Sequence, residues 1–140
     1  MRQEFRMSVG ARAGEVEKVN AVFGRFAETY ALPEAVRRSV NVALDELLAN
    51  ELSHGMAGRD AGSVTVEVEL DQERVTVTIT DDGPSFDPFR QAAPDTTLPV
   101  DERPIGGLGI HLVRELMDEV SYQRRDEHNV VVLVKQLVVG

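Results

Sequence analysis

Hydrophobic and polar positions alternate in some stretches of this chain and recur at helical spacing in others. Residues 3 to 9 set Phe5, Met7 and Val9 on one side, the pattern of a half-buried strand. From Glu15 to Tyr30 the apolar residues Val16, Val19, Val22, Phe23, Phe26 and Ala27 line one face of a helix. Leu32-Pro33 punctuates it, with proline suited to the first turn of the next helix. That second helix, about residues 33 to 55, turns Val36, Val40, Ala43, Leu44, Leu47 and Leu48 toward a core, and Gly55 and Gly58 can end it. Val64, Val66, Val68 and Leu70 then alternate, Asp71-Gln72-Glu73 turns the chain, and Val75, Val77 and Ile79 alternate again, which predicts a β-hairpin. A last helix carries Ile110, Leu112, Val113, Leu116 and Met117 as its stripe. Residues 120 to 123 and 130 to 137 complete the set as two strands.

Helices gathered early and strands gathered later predict an α+β two-layer sandwich, an antiparallel-rich mixed sheet covered on one face by about three helices. At 140 residues a single domain covers residues 1–140. Residues 84 to 105 interrupt the pattern with five prolines, at 84, 88, 94, 99 and 104. A loop of that length in a compact domain reads as a functional lid or a disordered connection.

Composition narrows the function. There are 15 Lys and Arg against 24 Asp and Glu, a formal net charge of -9. That balance argues against direct binding to nucleic acid or an anionic membrane surface. Arg37-Arg38 and Arg124-Arg125 read as solvated faces. No cysteine is present, which excludes thiol redox catalysis, disulfides and cysteine zinc sites. With no stretch of about 18 apolar residues and no signal-like start, a soluble cytoplasmic protein is expected.

Three polar constellations carry candidate chemistry. Glu46 and Asn50 lie one helical turn apart on the second helix, so they share a face, and His54 continues the line. A carboxylate there can take a proton or orient a hydroxyl, and an amide oxygen can ligate Mg2+ beside phosphate oxygens and water. On its own the pair reads as an exposed polar stripe. Asp81 ends an alternating strand, with Gly83 two residues on, and such a carboxylate can accept a hydrogen bond from the exocyclic amine of adenine. Alone, Asp-Asp-Gly is a simple turn. Gly106-Gly107-Leu108-Gly109 precedes an amphipathic helix whose free N-terminal amides favour phosphate. It lacks the Gly-Lys-Ser/Thr of a P-loop and the third glycine of the Rossmann fingerprint. The three histidines, 54, 111 and 128, have no metal-ligand spacing.

In this order the segments resemble a known family. Glu46-Leu-Leu-Ala-Asn50-Glu-Leu-Ser-His54-Gly resembles the N box of the GHKL (Bergerat-fold) ATPase and kinase superfamily. Asp81-Asp-Gly83-Pro-Ser-Phe86-Asp87-Pro resembles its first glycine box, and Gly106-Gly-Leu-Gly109-Ile-His-Leu-Val its second. Phe86-Asp87-Pro88 and Leu116-Met117-Asp118-Glu119-Val120 are most similar to the anti-sigma-factor serine/threonine kinases of the RsbW and SpoIIAB type. The resemblance implies ATP and Mg2+ as cofactors, with Asn50 holding the metal and Asp81 bonded to adenine. Gly83, Gly106, Gly107, Leu108 and Gly109 would shape the adenine and phosphate walls, and Glu46 would be the catalytic base. It further implies phosphorylation of a serine or threonine on a small anti-anti-sigma-type antagonist and sequestration of a regulatory partner such as a sigma factor. It also admits a homodimer. The alternative is an ATP-gated switch that holds its partner without phosphorylating it. Gly55-Met56 stands where the family often has a small residue and then an aromatic, and Arg103 is the best-placed cation for a phosphate.

Overall fold

The computed structural model describes residues 2–10, 13–50, 63–90 and 107–137. Chain order is β1 (Gln3–Gly10), α1 (Ala13–Thr29), α2 (Glu34–Asn50), β2 (Ser63–Leu70), β3 (Arg74–Asp81), a 3-10 turn (Pro88–Arg90), α3 (Gly107–Leu116), β4 (Glu119–Arg125) and β5 (His128–Gln136). The five strands form one sheet in the order β1-β2-β3-β5-β4, and its pairings are all antiparallel. This is the expected α+β arrangement, and no parallel pair of a mixed sheet occurs among the described strands.

Alternation explains which face is buried. Successive strand residues point to opposite faces, so Val64, Val66, Val68 and Leu70 of β2 line up with Val75, Val77 and Ile79 of β3 on the side facing the helices. Val131 and Leu133 of β5 extend the same rows through the pairs Ile79↔Val131 and Val77↔Leu133. Against them pack Val19, Phe23, Phe26 and Ala27 of α1, the apolar stripe of α2, and Ile110 and Val113 of α3. Leu44 at 0% exposure sits at the centre of that stripe, and burying such a side chain is worth about 1.5–3 kcal/mol. The opposite face carries Thr76, Thr78 and Thr80 on β3 and half-buried Val130, Val132 and Val134 on β5. Those valines make β5 read as a continuously apolar run.

The boundaries differ from expectation in a few places, each for a local reason. α1 closes with the N–H of Leu32 bonded to Ala27 O at 2.9 Å and that of Ala31 to Glu28 O at 3.2 Å, which turns Ala31 to a φ of 51°. That is the double bond of a left-handed helix terminus, here without the usual glycine. Pro33 precedes α2 instead of entering it, and its carbonyl accepts the helix's first bond, from Arg37 N at 2.9 Å. Leu112 is 40% exposed and leaves the α3 stripe, whereas buried Met117 follows the helix. β4 and β5 each extend to meet at a two-residue turn in which Asp126 and Glu127 both have positive φ, 51° and 65°. Positive φ at both positions matches the twist of a tight hairpin. The predicted end of α2, with Gly55 and Gly58, lies outside the described residues. No helix among them is long and apolar enough to cross a membrane.

Candidate functional site

The apolar rows of the sheet end on a polar rung. Asp81 has the same inward parity as Val75, Val77 and Ile79, and Asn129 the same parity as Val131 and Leu133. The register pairs Asp81 with Asn129 directly. Both are 2% exposed. A buried carboxylate is costly unless its oxygens are hydrogen-bonded.

One oxygen of Asp81 is fully engaged and the other is not. Oδ1 accepts from the backbone N–H of Gly83 at 2.8 Å and from the Asn129 amide at 2.9 Å. Oδ2 is buried with no hydrogen-bond partner among the described residues. The same side chain therefore makes the local Asp-Gly turn and holds out a desolvated acceptor. An unpaired buried acceptor costs about 1–3 kcal/mol, more when charged, and a ligand donor reaching Oδ2 would recover that energy.

The turn after Asp81 is fastened by the β4–β5 hairpin. Asn129 Nδ2 also donates to Pro84 O at 2.8 Å, and Asn129 Oδ1 accepts from Phe86 N at 3.2 Å and from the Tyr122 hydroxyl at 2.5 Å. Arg124 donates from Nη1 to Gly83 O at 2.7 Å. Arg124, expected on a solvated face, is thus a contact of the turn. Arg37 and Arg38 do lie on an exposed face, where both reach Glu34. Arg37 holds the Glu34 carboxyl below the usual carboxylate range, and the Arg37 guanidinium is raised in return.

Glu46 and Asn50 sit on the last turns of α2, Glu46 half-buried and Asn50 at 7% exposure. Their surroundings exclude a simple exposed stripe. Glu46 lies against the first turn of α3: a Cβ placed on Gly109 would stand 2.0 Å from Glu46 Oε2 and 2.8 Å from its Cδ. The N-terminal amides of a helix carry partial positive charge, so a carboxylate is stabilised there. Gly109 is what admits it. α3 in turn grips the segment after Asp81, because Arg114 bonds to Phe89 O and stacks 5.4 Å from the centroid of that ring.

The structure thus brings Asp81 together with Gly83, and Glu46 with Gly109, and links the two halves through Phe89 and Arg114. Gly107 and Leu108 open α3. Gly106, His54, Gly55, Met56, Arg103 and the part of the expected lid beyond Arg90 lie outside the described residues. Sequence reasoning missed Asn129, Tyr122 and Arg124. The available signal was the polar Asn129 at an inward position of a strand whose next inward positions are Val131 and Leu133.

The two-layer fold matches a known class. Residues 9–135 match the family model described as the histidine kinase-like ATPase domain, and the chain belongs to that family. Among its relatives, serine/threonine-protein kinase BtrW of Bordetella bronchiseptica is 30% identical over 94 residues, 67% of this chain and 66% of BtrW. Serine-protein kinase RsbW of Bacillus cereus is 26% identical over 140 residues, 96% of this chain and 86% of that protein. RsbW of Listeria monocytogenes serotype 4a is 32% identical, and the match covers 64% of its length, so the chain spans about two-thirds of the first relatives it matches. Among solved structures, that of the RsbU and RsbW domains of Rv1364c from Mycobacterium tuberculosis has a TM-score of 0.70 at 14% identity, covering 99% of this chain and 33% of that one. The catalytic domain of histidine kinase ThkA has a TM-score of 0.54 at 13% identity, covering 95% and 98%. At those identities the structures establish the shared fold.

Proposed function

We propose that this chain is a Mg-ATP-dependent serine/threonine protein kinase that phosphorylates a small antagonist protein of the anti-anti-sigma type and sequesters a regulatory partner such as a sigma factor. The observation that carries the ATP site is Asp81 Oδ2, a buried acceptor whose sister oxygen is already fixed. Such an acceptor suits a donor from a flat, apolar ring, and the exocyclic amine of adenine is one. Bound ATP supplies the transferable phosphoryl group, and its Mg2+ neutralises phosphate charge. Asn50 would hold that cation through its amide oxygen. Among the described residues no group of three His, Cys, Asp or Glu side chains is placed to hold a metal, so phosphate oxygens and water would complete the shell. Gly106, Gly107, Leu108 and Gly109 would offer backbone amides to phosphate, with residues 84 to 105 as the lid.

Glu46 is the proposed base. Its carboxylate lies against Gly109 in the first turn of α3, where it would take the proton of an incoming serine or threonine hydroxyl. The kinase reading draws its support from the relatives' names, BtrW and RsbW. It is tested by incubating the chain with Mg2+, radiolabelled ATP and the antagonist. Wild type should label serine or threonine, Glu46→Ala should bind ATP without labelling, and Asp81→Asn should lose ATP binding in calorimetry. Equal labelling by wild type and Glu46→Ala would refute the role of Glu46.

A further inference from the structure

Asn129 uses every polar atom it has. Nδ2 donates to Asp81 Oδ1 at 2.9 Å and to Pro84 O at 2.8 Å, with Gly83 O at 3.5 Å, while Oδ1 accepts from Phe86 N and from the Tyr122 hydroxyl. Those partners belong to two different strands and to the turn that follows one of them. A side chain tied at four points cannot swing, and at 2% exposure it has no solvent to relax into. Asp81 has no such tether of its own beyond the Gly83 amide. Without Asn129, its carboxylate could rotate to share either oxygen with that amide.

We propose that Asn129 is the positioning residue that fixes the plane of the Asp81 carboxylate, and thereby makes the site select a purine with an amine, not a carbonyl, at its 6-position. The inference rests on the ATP-site reading of Asp81. Two donors pull on Oδ1, so that oxygen always faces the turn, and Oδ2 is always the one presented to a ligand. A carboxylate oxygen is an acceptor only. An amine at the 6-position satisfies it, whereas a 6-oxo group sets two acceptors against each other. Discrimination by a buried polar group is strong only when that group has no alternative partner, because the penalty is the cost of leaving it unpaired. Asn129 removes the alternative by keeping the carboxylate from turning until both of its oxygens share the single donor of Gly83. Freed to rotate, the carboxylate could turn from a mismatched base, and the mismatch would cost less.

The test uses the whole chain with Mg2+ and two probes, ATP and inosine triphosphate, which carries a carbonyl at the 6-position. Affinities are measured by calorimetry for wild type, Asn129→Leu, which keeps the branched outline but removes every polar atom, Asn129→Ala, and Tyr122→Phe, which removes one hydroxyl from the far side of Asn129. Wild type should prefer ATP by about 100-fold or more. Asn129→Leu and Asn129→Ala should each lose about tenfold in ATP affinity while inosine triphosphate changes less than about threefold, so that the preference shrinks by about tenfold. Tyr122→Phe should shift it in the same direction by a smaller factor, and carries the test if both Asn129 variants fail to fold. A purely structural role predicts that both nucleotides weaken by one common factor, and that result overturns the inference, as does an unchanged preference. If wild type itself binds ATP no better than inosine triphosphate, the ATP-site reading falls together with this one. If wild type discriminates and the variants keep the ratio, only the role of Asn129 falls.

Discussion

Gly109→Ala adds one methyl group at a point where the structure gives its consequence. The new Cβ would lie 2.0 Å from Glu46 Oε2, 2.8 Å from Cδ and 3.5 Å from Cγ. Unbonded heavy atoms settle at about 3.5–4.0 Å, so the carboxylate must retreat by about 1.5 Å. It is the far end of a flexible side chain on a half-buried residue, and moving it off its rotamer costs about 0.5–1.5 kcal/mol. Gly109 lies inside a helix with no left-handed φ, and alanine improves helix propensity by up to about 1 kcal/mol. The two effects offset, and stability should change by less than about 1 kcal/mol.

Activity should respond quite differently. If Glu46 is the base, a displacement of about 1 Å or more from the productive geometry costs about 100-fold in rate, equivalent to about 2.7 kcal/mol of barrier. Urea unfolding measures the first quantity, with an unchanged slope showing that the transition is the same one. Phosphoryl transfer from radiolabelled ATP at saturating nucleotide measures the second. The reasoning fails if Gly109→Ala transfers phosphate at the wild-type rate while Glu46→Ala does not. It also fails if Gly109→Ala loses several kcal/mol of stability, since that would mean Glu46 cannot move aside.

Two further predictions concern stability alone. Ala31 closes α1 at φ 51°, a conformation that costs an L-residue about 1–2 kcal/mol, whereas glycine forfeits only unfolded-state entropy of about 0.4–1 kcal/mol. Ala31→Gly should therefore stabilise by about 0.5–1 kcal/mol in urea unfolding, and a loss would contradict the left-handed terminus. Asp71 lies in the β2–β3 turn, where its Oδ1 accepts from Glu73 N at 2.7 Å and Arg74 N at 2.9 Å, and these backbone bonds, Glu73 first, hold its carboxyl below the usual range. A depressed carboxyl stabilises the fold above its unfolded pKa of about 3.9 and loses that contribution as pH falls through the lower folded value. The stability gap between wild type and Asp71→Ala should hold from pH 7 to about pH 4 and close below it; a gap that widens in acid would refute the assignment.

How much of this molecule could be read from its sequence depended on the range of the forces involved. β2 and β3 were legible because one face packs on helices and the other meets solvent, which imprints alternation on adjacent residues. β4 was read short because it is an edge strand whose final residues, Arg124 and Arg125, are exposed and polar. The lengths of α1 and α3 followed from spacing. The left-handed end of α1 did not, because alanine stands where glycine would have announced it. Glu46, Asn50, Asp81 and the glycines were visible as local motifs, each with a bland alternative at least as strong when taken alone. Asn129 was not visible, since its meaning comes from a register between strands 48 residues apart.

That register also shows that the bland and the chemical reading of Asp81 are not exclusive. A carboxylate that only made the Asp-Gly turn would need one acceptor oxygen and would sit at the surface, where its second oxygen could be hydrated. Here the strand parity that buries Val75, Val77 and Ile79 also buries Asp81, so its second oxygen is withdrawn from water with nothing among the described residues to replace it. Folding alone gives no reason to bear that cost, because asparagine could make the same turn from the same rung without burying a charge. A carboxylate in that place, beside a fully bonded asparagine that holds its plane, carries a penalty that a ligand donor would remove. The turn is then the means by which the backbone aims the acceptor, and occupancy of Oδ2 by a ligand should raise the protein's stability in proportion to the affinity it confers.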